Sequence, residues 1–485
     1  MADRGSLDDL HNMHGAYYRW RLLATVMIGS IAAIMSSTTM NVGIPDMSVH
    51  FMLGQERAQW VSSGFMVAMT VSMLTTPWLL SRYGYRKTFN GCMTLLALGG
   101  IAGGLSTDFD VLLLARVMEG LAAGVLQPIP SIIILRAFKP TEQGRANSLF
   151  GMGVVLAPAV GPSIGGGLVD LFGWRSLFLM VLPFCLVSVL LANRFVPITA
   201  PGGVSANHGN PVLDLGGLSL VTVGTLCLLN GLITLNFGRL DLATCLFLVA
   251  LVSILSFIAW QRWQMIHGGL PLMNLELFTY KTYAMGTVVA FIYGVALFGS
   301  TYLIPLYLQV GLGFSPSQVG MLLLPAGLAL ALTIAVVGNY SHTHPTYLLV
   351  SFGLALLSAS FALMLIVNLQ TGIFILIGLS ILGRIGLGFV LPSLNIGSMR
   401  SLDARLIPQG ASTISFLRML GGACGVSLCG ILLEWRLDAH GDSLNYTSSS
   451  PARIDAFGEV FTLLAAICLL AMLAAWQIRE SVRCK

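Results

Sequence analysis

The chain has 485 residues, of which 56% are hydrophobic and only 9% charged, with a formal net charge of +5 and a mean hydropathy of +0.84. Soluble domains carry about 25% charged residues, so this composition excludes a water-soluble enzyme, a disordered chain, a nucleic-acid binder and a secreted disulfide scaffold. It describes a protein whose solvent is mostly lipid, and its 54 glycines agree, because glycine is commoner in membrane helices than in soluble ones.

Residues 1–21 are polar and show no signal-peptide pattern, since the apolar run after them is too long and lacks a small-residue cleavage site. A helix crossing a hydrocarbon core of ~30 Å needs about 20 apolar residues. Such runs fall at 22–44, 58–80, 88–107, 110–136, 146–170, 174–196, 214–233, 241–261, 282–310, 316–340, 344–366, 371–397, 408–434 and 457–478, predicting fourteen spans. The runs are continuously apolar, without the alternation of a barrel strand, so the fold class is an all-α polytopic membrane protein.

The expected organisation is a cytoplasmic N-terminal segment (1–21), a six-helix bundle (22–196) and a Pro/Gly-rich cytoplasmic linker (197–213). Two inserted helices (214–261), a second six-helix bundle (282–478) and a cytoplasmic tail (479–485) follow. An even span count puts both termini on one side. Seventeen of the 25 basic residues fall in segments on that side, five in loops on the other and three within spans. Basic residues accumulate in cytoplasmic loops, so both termini are expected in the cytoplasm.

The eight cysteines have neither metal-site nor disulfide spacing and read as small packing residues. No metal or other cofactor is expected, and no nucleic-acid partner. There is no nucleotide-binding loop that would drive transport by ATP, and the loops are too short to hold a soluble domain.

An internal repeat links spans 4 and 12: Arg116-Val117-Met118-Glu119-Gly120 and Arg384-Ile385-Gly386-Leu387-Gly388 share Arg-x-x-x-Gly, each followed by a proline, Pro128 and Pro392. Two parallel halves of this kind are a transporter architecture.

Further local patterns accompany the repeat: Asn41-Val42-Gly43-Ile44-Pro45 at the end of span 1, Ala157 to Gly166 (APAVGPSIGG) in span 5 with Gly173-Trp174-Arg175 after it, and Pro305 to Pro325 across spans 9 and 10. On these motifs the chain resembles, over nearly its whole length, the major facilitator superfamily, specifically its fourteen-helix drug:proton antiporter branch (EmrB/QacA-like). The resemblance implies two six-helix bundles plus two additional helices and a secondary transporter in a bacterial inner membrane. Its implied work is the export of amphipathic drugs in exchange for protons by alternating access. Implied partners are a small-molecule substrate, protons and membrane lipid, with a periplasmic adaptor and an outer-membrane channel as further candidates. A second reading is an exporter of one metabolite, lipid or siderophore. A receptor or scaffold is the remaining class, and an enzyme is not expected, there being no catalytic constellation within the spans.

The chain departs from that family at several places. The branch usually carries an acid in span 1 where this chain has Ser36. The loop after span 2 keeps Arg82, Gly84, Arg86 and Lys87, but the family's Asp is Ser81 and its Gln in span 4 is Glu119.

Four ionisable residues lie deep in spans: Arg116, Glu119, Arg384 and Arg418. Charges there cost about 2.5–3.5 kcal/mol or more, so they face a cavity or a partner. Arg116 and Glu119, three apart, share a helix face. They form either a proton site, with Glu119 as the exchanging acid and Arg116 as its modulator, or a permanent structural pair. Arg384 and Arg418 serve either an anionic substrate group or helix packing, and Asn41 either bonds across helices or packs. Gly153, Gly161, Gly165 and Gly166 in span 5 allow close helix approach, and Pro162 suits a bend at a gate. Trp60, Phe65, Tyr293, Phe298, Tyr302 and Tyr307 either line a drug cavity, by stacking and cation–π contact, or face lipid.

Overall fold

The computed structural model describes residues 17–53, 55–199, 212–236, 238–340, 344–368, 370–442 and 451–478, with Gly15 and Pro201. Much of the N-terminal segment, the linker and the tail therefore lies outside the described residues. Within these limits the chain is helical throughout, and no strand occurs.

The helices are α1 (Tyr18–His50), α2 (Gln55–Ser72), α3 (Thr76–Gly104), α4 (Phe109–Leu126), α5 (Ile129–Ala137), α6 (Pro140–Phe172), α7 (Arg175–Leu179) and α8 (Leu182–Phe195). They continue as α9 (Leu215–Asn236), α10 (Leu240–Ile266), α11 (Lys281–Leu306), α12 (Pro316–Tyr340), α13 (Thr346–Leu363), α14 (Ile373–Gly397), α15 (Ile407–Ala439) and α16 (Pro451–Trp476). Every apolar run of the sequence is helical, but the runs 58–80, 110–136 and 174–196 are each divided between two helices.

Among the described residues, eleven helical stretches are long and apolar enough to cross a membrane. One of these, Trp60–Gly104, holds two of the predicted spans. The fourth predicted span is divided at Gln127–Pro128 into α4 and α5. Proline has no N–H to donate and its ring crowds the preceding turn, so the helix stops and restarts there. α4 itself is strongly apolar, yet its 18 residues carry three charges, Asp110, Arg116 and Glu119.

Local chemistry sets several other ends. Asp108 precedes α4 with an extended backbone, and its carboxylate accepts from the Asp110 N–H at 3.4 Å, an N-terminal cap that also suits the helix dipole. Gly173 closes α6 at φ 76°, the left-handed position that glycine fills without strain. Pro305 in α11 is followed by a π turn at Tyr307–Gly311, the wider winding that a missing backbone donor favours.

The chain divides into two compact units. The first comprises Met1–Thr222, Phe257–Asn274 and Asp403–Phe416; the second Val223–Ser256, Leu275–Leu402 and Leu417–Lys485. The divisions pass within α9, α10 and α15. In the first unit α4 packs against α2 and α3, while α1 packs against α6 and α8. In the second, α14 packs against α12 and α13, and α16 against α13 and α11.

Candidate functional site

The most completely buried charges of the first unit form one network. Arg116 and Glu119 on α4 are both fully buried, and Arg116 Nη1 donates to Glu119 Oε2 at 2.5 Å. The same nitrogen reaches Ser36 Oγ at 3.2 Å and the Ser36 carbonyl at 3.5 Å, while Arg116 Nε donates to the Val61 carbonyl at 3.1 Å. Ser36 Oγ in turn donates to Glu119 Oε2 at 3.2 Å. The guanidinium lies over the Phe65 ring, 4.3 Å from its centroid, a favourable cation–π placement.

This arrangement is asymmetric about the carboxylate. Oε2 accepts from two donors, whereas the buried Oε1 has no hydrogen-bond partner among the described residues. Arg116 holds acceptors besides Glu119, so the guanidinium stays anchored whichever charge the acid carries. Space for Glu119 comes from α3, where a Cβ on Gly99 would come within 2.7 Å of Glu119 Cγ and 3.0 Å of the Ala115 carbonyl oxygen.

The span 5 glycines meet α1, the helix that carries Ser36. Cβ atoms on Gly153, Gly161 and Gly165 would approach Ile31, Thr38 and Thr39 of α1, whereas Gly166 has open space. The Pro162 side chain lies outside the described residues. Asn41 Oδ1 accepts from Ser62 Oγ at 2.7 Å on an exposed face, and Trp60 packs against a core cluster built around Val61, Phe109 and Trp174. Phe65 is sealed beneath Arg116 rather than open to solvent.

The loop motif closes on the end of α8. Gly84 has φ 78°, and the next N–H, of Tyr85, donates to the Ile198 carbonyl at 3.0 Å. Arg86 Nε donates to the Val196 carbonyl at 2.6 Å. Arg82 and Lys87 are exposed, and Ser81 bonds back to the Trp78 carbonyl at 2.9 Å. Arg136 at the end of α5 donates to the Ala404 carbonyl at 3.0 Å and to the Tyr85 hydroxyl at 3.3 Å.

In the second unit Arg384 and Arg418 are half-buried. Arg384 Nη2 and Nη1 stand 3.4 and 3.5 Å from Thr301 Oγ1, and both arginines act electrostatically on the buried Tyr293 phenol. Phe298 packs where a Cβ on Gly422 would fall. Tyr302 is partly exposed, and the buried Tyr307 is enclosed by Phe457 and Phe461 at 5.1 and 5.4 Å. Of the four candidate aromatics in this unit, Tyr293 and Tyr307 are buried and Tyr302 is 38% exposed.

Three features escaped the sequence reading. Ser36, read as the loss of an acid, is a member of the charge network. Arg453, assigned to an outer loop, is 1% exposed in the first turn of α16 and makes a bidentate pair with Asp442 at 2.9 and 3.3 Å. Asp214, before α9, accepts from the Gly217 N–H, Trp260 Nε1 and Gln261 Nε2 at 2.7–2.8 Å. A capping signal three residues ahead of a helix turn was the available hint for Asp214; nothing local marked the other two.

Helices this long and apolar define an integral membrane protein. The Major Facilitator Superfamily profile matches residues 26–426, and the chain belongs to that family of transporters. It is 28% identical to the "Probable multidrug resistance protein EmrY" of Escherichia coli K12 over 91% of this chain and 84% of that protein. It is 27% identical to the "Multidrug resistance protein B homolog" of Mycobacterium tuberculosis H37Rv over 86% of this chain and 77% of that protein. Among solved structures, the proton:xylose symporter XylE superposes with a TM-score of 0.66 at 10% identity, covering 95% of this chain and 96% of that one. That likeness concerns the fold alone.

Proposed function

We propose that this transporter exports amphipathic drugs or toxic organic compounds in exchange for protons, by alternating access, with both termini in the cytoplasm. The multidrug resistance names of its relatives support export, and the distribution of basic residues supports the orientation. The observation that carries proton coupling is the buried Arg116–Glu119–Ser36 network with its unpartnered Glu119 Oε1.

Oε1 is the atom that takes the proton. Once Glu119 is neutral, its pull on Arg116 weakens, while the Val61 and Ser36 carbonyls and the Phe65 ring keep the guanidinium in place. The Ser36 hydroxyl is then released to change partner. Because Ser36 sits on α1, the helix whose Ile31, Thr38 and Thr39 meet the glycines of α6, the proton's arrival reaches the helix packing. Proton loss restores the pair, and the cycle turns as water reaches the site from alternate sides.

The test is transport in proteoliposomes with and without an imposed pH gradient, using cationic, anionic and neutral amphipaths. Glu119→Gln is expected to abolish gradient-driven accumulation while leaving exchange down a concentration gradient. Undiminished coupling in that variant removes Glu119 from the mechanism. Absence of movement for every compound removes the export reading.

A further inference from the structure

The second unit keeps two positive charges that nothing negative balances. Arg384 on α14 and Arg418 on α15 each lie roughly three turns from the first residue of their helix, about 16 Å along the axis. That is near the middle of a ~30 Å hydrocarbon core, too deep for an easy reach to either interface. Neither arginine has an acidic partner among the described residues. Arg384 has only the long contacts to Thr301, and Arg418 makes no hydrogen bond there. The repeat shows what is missing. In the first unit the residue three after the arginine is Glu119; in the second it is Leu387, buried and apolar.

Both arginines lie against α11, Arg418 at Gly294 and Arg384 at Thr301, and both act electrostatically on the phenol of Tyr293, which is 1% exposed. α11 and α15 touch backbone to backbone at this level: a Cβ on Gly294 would overlap the Arg418 carbonyl oxygen, and one on Gly421 the Phe291 carbonyl oxygen. The Arg418 backbone is therefore held against Gly294, the residue after Tyr293, and Arg384 reaches α11 at Thr301. Both guanidiniums remain half-buried rather than sealed. Two guanidiniums thus stand along one stretch of α11 with the Thr301 hydroxyl and the Tyr293 phenol, and no acidic side chain pairs with either among the described residues.

We propose that Arg384, Arg418 and Tyr293 bind the anionic head, a carboxylate, sulfonate or phosphate, of an amphipathic molecule. Guanidinium donors match the oxygens of such a head in pairs, and charge-assisted bonds of this kind are about twice as strong as neutral ones. The same charges repel a quaternary ammonium head, so the site discriminates among amphipaths by charge. The proposal rests on the export reading above for its substrate role. A free amphipath and an anionic phospholipid present the same chemistry.

Binding of dansyl-labelled fatty acid, the matching sulfonate, the neutral amide and the trimethylammonium analogue, measured by fluorescence on the purified full chain in dodecyl maltoside, tests this. The two anions are expected to bind at least about tenfold tighter than the amide, with the ammonium weakest. Arg384→Gln and Arg418→Gln should each remove that preference and leave amide binding unchanged, while Arg384→Lys keeps part of it. No charge preference in the parent protein, or a preference that survives in both Gln variants, overturns the site.

Thermal unfolding keeps the test independent of misfolding. Removing a cation that lacks an acid partner should leave the midpoint unchanged or raise it, and a fall in both Gln variants would make the arginines structural. In phosphatidylcholine proteoliposomes under a pH gradient, equal transport of all four probes leaves proton-coupled export standing and sinks the anion site. Selective anion binding without transport of any probe leaves the site standing and sinks export. Displacement of the fatty-acid probe by phosphatidylglycerol supports the site with lipid as occupant; failure of the lipid to displace it supports the site with a free amphipath.

Discussion

Ser36 Oγ stands 3.2 Å from Glu119 Oε2 and 3.2 Å from Arg116 Nη1, so one hydroxyl of α1 joins both members of the buried pair on α4. At Ser36, where the family resemblance implies an acid in the first span, the carboxylate beside the hydroxyl comes from α4.

The pair is expected to behave as a unit under mutation. Breaking a buried ion pair by removing one partner costs about 3–5 kcal/mol, whereas replacing both is far milder. Arg116→Gln should therefore destabilise strongly. Glu119→Gln should be milder, since Arg116 retains carbonyl acceptors and the Phe65 ring. The double variant should be more stable than the sum of the two by at least about 1 kcal/mol. Unfolding midpoints in detergent provide the cycle, and strict additivity would show that the two side chains are not coupled.

Much of the fold was legible because lipid imposes a simple rule: each apolar run must satisfy its own backbone, so each run is helical. The Arg116–Glu119 contact was legible too, because it is local, three residues along one helix. Ser36 was not, since its role depends on α1 approaching α4 across 83 residues of sequence. Arg453 was hidden for a related reason. The first turn of α16 is polar and reads as loop, and the partners of Arg453, Asp442 and the Val310 carbonyl, lie outside that turn. The break between α4 and α5 was available in Pro128, which lacks a backbone donor, but a continuous apolar run masked it. Among the aromatics, residue type alone does not separate a cavity wall from a lid over an arginine, which is the place Phe65 takes.

Gly84 is expected to tolerate no side chain. Its φ of 78° disfavours any L residue, and a Cβ there would meet the Ile198 carbonyl oxygen that accepts from the Tyr85 N–H. Left-handed strain alone costs about 1–2 kcal/mol, and the clash adds to it. Gly84→Ala should lower the unfolding midpoint by the equivalent of more than about 2 kcal/mol. Gly91→Ala, on the same helix with open space around it, should be neutral or stabilising. Equal midpoints for the two variants would contradict this account.

Asp214 is a single carboxylate serving three donors from two helices. Asp214→Ala leaves the Trp260 indole N–H and the Gln261 amide without their acceptor, at about 1–3 kcal/mol for each buried donor. Asp214→Asn cannot repair both contacts. Its amide nitrogen would face that of Gln261, and Gln261 cannot turn over without taking its oxygen from the Met273 N–H, which it accepts at 3.1 Å. The expected order of stability is parent, Asn, Ala. Tryptophan fluorescence should change with it, because Trp260 loses its partner in the Ala variant. An Asn variant as stable as the parent would show that the carboxylate charge is unimportant there.

Arg453 and Asp442 should respond unequally. Arg453 Nη1 also donates to the Val310 carbonyl at 3.1 Å, within the π turn that follows Pro305. Asp442→Asn leaves the guanidinium that carbonyl and an amide oxygen, and should cost about 1–2 kcal/mol. Arg453→Gln strips the two guanidinium bonds from a carboxylate with only 8% of its side chain exposed and releases the π turn, and should cost about 3–5 kcal/mol. Arg453→Lys cannot reproduce the two-pronged geometry and should fall between them. Because the pair is buried, these differences should persist in high salt, where a surface pair would be screened. Unfolding midpoints measured at low and high ionic strength check both claims. Equal costs for the Asp442 and Arg453 variants would show that the arginine does nothing beyond neutralising the acid.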